Sequence, residues 1–278
     1  MTTTAINNGP VKTLGNSDRA LIGVIGGLGT LATIDFFKRV ADLTPAECEQ
    51  QHVPLMIYNA SQTPDRNRSI LTGDSRCGEM LADAARKLEK ADCDYLVMPC
   101  NAAHYYVEMI RAAVEIPFVS MIDITCAQVA KSAVPGSKIG VICSDGTRHA
   151  RLYESALADV GLASVVLSDT EQRRCMECIY DVKTGRVTDK TRERIRALLI
   201  KLAEKGANQV IAACTEIPIL LSSNDVAIPV VNASDLLALE CIKLSTSAQP
   251  QLISSVVAKL GTPTESSSKS TGERNHVR

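Results

Sequence analysis

Short apolar runs alternate with helical patterns along most of the chain. Apolar runs at residues 21–25, 54–58 and 95–98 have the length and composition of buried strands. Between them, apolar positions recur every three or four residues, as on the buried face of an amphipathic helix. Strands that alternate with helices are typical of α/β proteins with parallel sheets. The pattern therefore predicts an α/β fold.

The later part of the chain continues the same alternation. Further strands are predicted at residues 116–121, 138–143, 163–167, 209–213 and 228–231. Further helices are predicted from residue 102, from 123, at 147–160, 171–180 and 188–205, after residue 214, from 234 and at 252–260. The polar segment at residues 60–75, which contains a proline and a glycine, is predicted to be a loop.

Three landmarks occur twice in the same order, which indicates two similar halves. The sequence Ile-Gly-Val-Ile at residues 22–25 returns at 139–142, and Cys100 and Cys214 each precede a strand that begins with Ile-Pro. We predict two pseudo-symmetric parallel-sheet α/β halves with the active site in the cleft between them. The predicted limits are a disordered leader at 1–19, a first half at 20–120 joined by C-terminal helices at 233–260, a second half at 121–232, and a disordered tail at 261–278.

The candidate chemistry lies at Cys100 and Cys214, which each end an apolar strand. Ligands of parallel α/β sheets bind beyond the carboxyl ends of the strands. A helix that starts beside a cysteine lowers the pKa of its thiol and favours the reactive thiolate. Asn101 and Thr215 add hydrogen-bonding side chains directly after each sulfur. One thiolate and one thiol could remove a proton from one face of a carbon and return one to the other.

Composition and charge limit the size, the partners and the cellular location that we expect for this protein. The chain has 278 residues, 45% of them hydrophobic, which is enough for one large domain or two modest ones. A net charge of -1 gives no reason to expect nucleic acid or an anionic membrane as a partner. No apolar run approaches the roughly 20 residues of a membrane helix. We therefore expect a cytoplasmic protein, in which the ten cysteines are thiols.

These residues carry a resemblance to the aspartate/glutamate racemase family, the amino-acid racemases that work without pyridoxal phosphate. It covers nearly everything from residue 22 to about 244. The matching segments are the Gly-rich turn and helix start at 26–33, Gln51-His52-x-Pro54, Asn59, Pro64-Asp65-Arg66, Met98-Pro99-Cys100-Asn101-x-Ala103-His104, Ile179-Tyr180 with Lys183 and Gly185, and Cys214-Thr215-Glu216. The Pro-Asp-Arg segment is nearer to aspartate racemases than to the glutamate racemases of cell-wall synthesis.

The resemblance implies a function and a set of roles. It implies a cofactor-independent and metal-free racemase that interconverts L- and D-aspartate, with glutamate as the next substrate, and a homodimer. Cys100 and Cys214 would be the two acid/base residues. The implied substrate-binding residues are Asn59, Arg66, Asn101, Thr147, Lys183 and Thr215. His104 and Glu216 could tune the two thiols or their loops, although a structural histidine and a helix-capping glutamate are equally compatible with the pattern.

The chain departs from the family pattern at Ala102, where the family has a threonine whose hydroxyl contacts the substrate. This leaves other functions open: a hydantoin racemase or maleate isomerase type of enzyme, a non-catalytic protein that binds an acidic amino acid, or a thiol redox switch. The turn at residues 27–32 also fits a dinucleotide fingerprint, but Asn59 stands where that site needs an acid. The Cys175-x-x-Cys178 pair is interpreted as structural, because no second ligand pair lies near it.

Overall fold

The computed structural model describes residues 19–221 and 227–246. The first half contains a four-stranded parallel sheet in the order β2-β1-β3-β4. Its elements are β1 (Ile22–Gly26), α1 (Thr30–Leu43), β2 (Leu55–Asn59), α2 (Arg66–Thr72), α3 (Arg76–Glu89), β3 (Tyr95–Val97), α4 (Val107–Arg111) and β4 (Phe118–Val119). Short 3-10 helices at Glu49–Gln51 and Ala102–Tyr106 complete it.

The second half repeats this topology with a parallel sheet in the order β6-β5-β7-β8. Its elements are α5 (Met121–Ser132), β5 (Lys138–Cys143), α6 (Asp145–His149), α7 (Leu152–Asp159), β6 (Ala163–Val166), α8 (Asp169–Lys183), α9 (Asp189–Glu204), β7 (Gln209–Ala213), a 3-10 helix at Pro218–Leu220, β8 (Val230–Asn232) and α10 (Ala233–Ser245). The predicted α/β fold of two similar parallel-sheet halves is therefore confirmed.

Helix α10 follows the second sheet in the chain but packs against elements of the first half. Leu237 and Cys241 of α10 share a buried core with Ile22 of β1 and Phe36 of α1. The domain limits given above stay a prediction. Residues 1–18 of the predicted leader, the helix predicted at 252–260 and the tail at 261–278 lie outside the described residues.

The loop predicted at residues 60–75 is wrong, because helix α2 occupies its centre. Asp65 caps this helix by accepting a hydrogen bond from the backbone N–H of Arg68, and Gly73 ends it in the left-handed conformation. Arg66 is consequently a buried helical residue and not a solvated loop residue.

The helices predicted directly after the two cysteines differ from the observed structure. A 3-10 helix follows Cys100 before α4 begins at Val107, and Cys214 is followed by a turn and the 3-10 helix that starts at Pro218. Pro218 has no N–H to donate, so it restricts continuation of a helix from the cysteine. The helix predicted at 147–160 is also broken, at Arg151, whose φ is 52°.

Candidate active site

Cys100 lies just beyond β3, an inner strand of the first sheet, and His104 holds its backbone in place. The Nδ1 atom of His104 donates to the carbonyl oxygen of Cys100 at 2.9 Å, because its Nε2 atom accepts from the backbone N–H of Met121 at 3.1 Å. Burial lowers the pKa of His104 to about 4, so the ring is neutral near pH 7. Both ring nitrogens of His104 are thus engaged by the backbone and not by a thiol.

Asn101, the residue after Cys100, is buried and bonded across the two halves of the molecule. Its Oδ1 atom accepts a hydrogen bond of 2.6 Å from the hydroxyl of Tyr153 in α7. Its Nδ2 atom is buried and has no hydrogen-bond partner in the described part of the chain. A buried amide that keeps unused donors is suited to bind a polar ligand.

Cys214 occupies the equivalent place in the second half, directly after the inner strand β7. Its thiol donates to Oε2 of the buried Glu216 at 3.0 Å. Burial, and after it the carboxylate of Glu216, raise the pKa of Cys214 well above its ordinary value, against the opposing effect of Lys183. The prediction that a following helix lowers this pKa is therefore wrong at Cys214, where a carboxylate replaces the helix N-terminus.

Thr215 and Glu216 form a small network beside Cys214. The hydroxyl of Thr215 donates to Oε2 of Glu216 at 3.3 Å, so this oxygen receives both the hydroxyl and the thiol. The other carboxylate oxygen, Oε1, has no hydrogen-bond partner among the described residues. Glu216 consequently acts on the thiol directly and does not cap a helix.

Lys183 connects the two halves of the candidate site electrostatically. Burial acts to lower the pKa of Lys183, but Glu216 and Cys214 raise it above its ordinary value, with smaller effects from Arg66 and Cys100. The Nζ atom lies 4.0 Å from Oδ2 of Asp65. One ammonium group is thus within electrostatic range of both sulfur atoms.

Arg66 brings a second cation to this region, and this one is buried. Its Nη1 atom donates to the carbonyl oxygens of Thr63 and Pro64, at 3.3 Å and 3.1 Å. Its Nε atom is buried without a hydrogen-bond partner among the residues described. The guanidinium therefore keeps a donor for an anion, as Arg does when it binds a carboxylate.

Thr147 and Asn59 lie on opposite halves of the molecule. Thr147 is fully buried in α6, with Ser144 Oγ at 3.2 Å from its hydroxyl, and the preceding Gly146 N–H donates to Oδ1 of Asn67 on α2. Asn59 is exposed at the carboxyl end of β2. The structure brings Thr147 next to the helix of Arg66, whereas no contact of Asn59 with either cysteine is observed among the described residues.

The glycine-rich turn after β1 makes a close approach to polar side chains from both halves. Gly27 has a φ of 80°, and a Cβ atom there would lie 2.2 Å from Oδ1 of Asn59. A Cβ atom at Gly29 would lie 3.0 Å from Oε1 of Glu216. The turn thus packs between Asn59 at the end of β2 and Glu216 beside Cys214. A side chain at Gly27 would clash with Asn59.

Three neighbours of this region were absent from the sequence analysis: Tyr153, Asn67 and Cys77. Cys77 is buried, and burial raises its pKa to about 11, with smaller effects from Arg66 and Cys100. Tyr153 lies in a segment predicted to be a helix and Asn67 in the segment predicted to be a loop, and neither pattern marks a residue of the site. Only the arrangement of the two halves brings Tyr153 to Asn101 and Asn67 to Gly146.

Two parallel sheets of the same topology, each with a buried cysteine after an inner strand, make this a doubled α/β protein. The profile of the Asp/Glu/hydantoin racemase family matches residues 25–241, and the chain belongs to that family. The chain is accordingly an isomerase of the amino-acid racemase type.

Relatives from several organisms share the sequence and the fold. A broad specificity amino-acid racemase of Bacillus subtilis is 26% identical, over 78% of this chain and 95% of the relative. The structure of the aspartate racemase of Picrophilus torridus is 27% identical with a TM-score of 0.74, over 82% of this chain and 94% of that one. A glutamate racemase of Bacillus anthracis, 21% identical with a TM-score of 0.60 over 84% and 83%, shares the fold.

Proposed function

We propose that this protein racemises an acidic amino acid without a cofactor, with aspartate as the first substrate and glutamate as the next. Cys100 and Cys214 exchange the α-proton in this reaction. The observation that carries the proposal is the pair of buried cysteines directly beyond the equivalent inner strands β3 and β7, with Lys183 in electrostatic range of both thiols. Two thiols and two cations that interact electrostatically suit a substrate that must bind as an anion and lose a proton.

In the proposed reaction the two sulfur atoms act on opposite faces of the α-carbon. One thiolate takes the α-proton and becomes a thiol, while the other thiol gives its proton to the opposite face and becomes a thiolate. Cys214 starts as the protonated partner, since its thiol donates to Glu216 and its pKa is raised. In the reverse direction Cys214 must ionise first, with Lys183 to stabilise the thiolate.

The preference for an acidic side chain rests on Arg66 and Lys183. Arg66 is buried and Lys183 is half-buried, and Arg66 retains a donor that is free of partners among the described residues. Together they can hold the distal carboxylate of aspartate or glutamate. The aspartate racemase of Picrophilus torridus supports aspartate, and the broad specificity racemase of Bacillus subtilis favours a second candidate, a racemase that accepts several amino acids.

The test is a chiral assay of the common amino acids with purified protein and no added cofactor. We expect racemisation of aspartate above all others and its loss in Cys100→Ala and in Cys214→Ala. Cys241→Ala is the matched control, because this buried cysteine lies in α10 and has no place in the proposed site. Binding without turnover would contradict the proposal and favour a non-catalytic amino-acid-binding protein.

The homodimer and the cytoplasmic location stay predictions. The described ranges, 19–221 and 227–246, contain no helix that is long and apolar enough to cross a membrane.

A further inference from the structure

Tyr153 is a fully buried tyrosine whose hydroxyl reaches from the second half to the first. The hydroxyl donates to Oδ1 of Asn101 at 2.6 Å, a short bond for two neutral groups. Asn101 directly follows Cys100, so the bond ends one residue from a proposed acid/base group. A buried hydroxyl needs a partner, but this partner is a side chain that retains unused donors of its own.

Tyr153 remains a donor over the whole working pH range. Burial is the largest cause that raises its pKa well above the ordinary value of 10.0, and the nearby thiols of Cys126, Cys143 and Cys214 raise it further. The contact with Thr125 opposes these effects without reversing them. A phenol that keeps its proton can donate to the amide oxygen of Asn101 but does not compete for a proton at the cysteines.

The hydrogen bond from Tyr153 to Asn101 determines which end of the Asn101 amide is free to bind a ligand. The oxygen is occupied by the tyrosine, and the buried Nδ2 atom has no partner among the described residues. An amide nitrogen offers donors only, so it can bind a carboxylate and cannot accept from an ammonium group. The chemistry of the free end is therefore that of an anion site.

We propose that Tyr153 is a positioning residue, which orients the Asn101 amide so that its NH₂ group binds the α-carboxylate of the substrate. The inference rests on the proposed function and adds to it the role of a residue in the other half of the molecule. Arg66 and Lys183 then bind the distal carboxylate. Without the tyrosine hydroxyl the amide can rotate and present its oxygen to the α-carboxylate, which repels it.

The first test compares Tyr153→Phe with Tyr106→Phe. Tyr106 is also buried, and its hydroxyl donates to the backbone oxygen of Asp74 and interacts with the thiol of Cys77. We expect KM for aspartate to rise about tenfold in Tyr153→Phe in both reaction directions, the value of one lost hydrogen bond, with kcat changed less than about twofold. Tyr106→Phe loses a hydroxyl without a change in KM. Equal KM values in the two variants would overturn the inference.

A double-variant comparison separates positioning from general stability. If Tyr153 acts through Asn101, then Asn101→Ala and the double variant Tyr153→Phe with Asn101→Ala should have the same KM. If Tyr153 has only a structural role, Tyr153→Phe should lower the unfolding temperature, and the increases in KM from the two single changes should multiply in the double variant. Multiplied losses would therefore contradict the positioning role.

Asn101→Asp tests which substrate group the amide meets. Tyr153 can still donate to one carboxylate oxygen of the aspartate, while the other replaces a donor with a negative charge. In a Cys100→Ala background, where no turnover occurs, we expect Kd for L-aspartate to rise more in Asn101→Asp than in Asn101→Ala. Binding as tight as that of the parent would mean that residue 101 meets the ammonium group, and the inference would be wrong.

The two proposals fail in distinguishable ways. A parent protein that neither racemises nor binds aspartate contradicts the proposed function, and the inference falls with it. A parent protein that racemises aspartate while Tyr153→Phe matches Tyr106→Phe contradicts the inference alone.

Discussion

Glu216 is the side chain that most directly sets the state of a proposed acid/base residue. Its Oε2 atom accepts from the Cys214 thiol, and its charge disfavours ionisation of that thiol. Lys183 acts in the opposite direction on the same sulfur. Cys214 is thus a thiol in the free protein. Binding of an anionic substrate to Lys183 would change the charge around this sulfur and with it the pKa of the thiol.

Glu216→Gln should make the Cys214 thiolate easier to form. The glutamine keeps an acceptor for the thiol but removes the negative charge, so the pKa of Cys214 falls while burial still holds it above its ordinary value. Alkylation by iodoacetamide across a pH series, followed for the Cys214 peptide by mass spectrometry, measures this shift. Glu204→Gln, a surface carboxylate paired with Lys201, is the control. An unchanged alkylation profile in Glu216→Gln would exclude Glu216 as the source of the effect.

His104 should make the stability of the fold depend on pH. Its folded pKa of about 4 lies below the ordinary value of 6.5, so the unfolded chain binds a proton that the folded chain excludes. The free energy of unfolding is therefore unaffected by titration of His104 above pH 6.5 and decreases as pH falls from 6.5 toward 4. The decrease between pH 7 and pH 4 is about 3 kcal/mol.

Denaturant unfolding of the parent and of His104→Gln at several pH values checks this account. The variant loses the bonds to Cys100 and Met121, so it starts less stable at pH 7, and the difference should narrow as pH falls toward 4. His149→Gln, at an exposed histidine, should keep the slope of the parent. A constant difference between parent and His104→Gln would show that the ring is not buried neutral.

The glycine-rich turn after β1 is the element with the least space for a side chain. A Cβ atom at Gly27 would meet Oδ1 of Asn59 and the backbone nitrogens of Ala60 and Ser61, the latter two at 2.8 Å and 2.7 Å. Backbone atoms cannot move aside as a flexible side chain can. The turn therefore fixes the end of β2 relative to β1, to which it is paired through Gly26 and Asn59.

Gly27→Ala should cost roughly 2–4 kcal/mol of unfolding free energy, because positive φ and a backbone clash act together. Gly161→Ala is the matched control: its φ is 75°, but nothing lies within 4 Å of the added Cβ atom. There we expect only the conformational cost of about 1 kcal/mol. Equal losses in the two variants, measured by denaturant unfolding, would show that the turn is not tightly packed.

Elements with clear periodicity could be predicted from the sequence, and short polar ones could not. The strands that end at Cys100 and Cys214 are continuous apolar runs, so both were found. Helix α2 has seven residues and few apolar positions, and its signals were only the cap at Asp65 and the stop at Gly73. The sequence predicts a helix directly after Cys214, whereas the structure has a turn and a short 3-10 helix from Pro218, whose missing N–H restricts a longer helix.

The whole molecule is organised by the equivalence of its two sheets. The repeat of landmarks at residues 22–25 and 139–142 predicted this, and the strand orders β2-β1-β3-β4 and β6-β5-β7-β8 confirm it. Contacts between the halves could not be predicted in this way. The bonds from Tyr153 to Asn101 and from Gly146 to Asn67 join residues that no single-element pattern relates, because they depend on how the halves pack.

Racemisation by Cys100 and Cys214 needs proton transfer at both faces of one carbon by two different sulfur atoms. Incubation of L-aspartate with the parent protein in D₂O, with chiral separation and mass analysis at low conversion, tests this most directly. We expect D-aspartate that carries one α-deuterium, while the remaining L-aspartate stays protiated. D-aspartate that retains protium, or L-aspartate that gains deuterium as fast as D-aspartate forms, would contradict a mechanism with two bases.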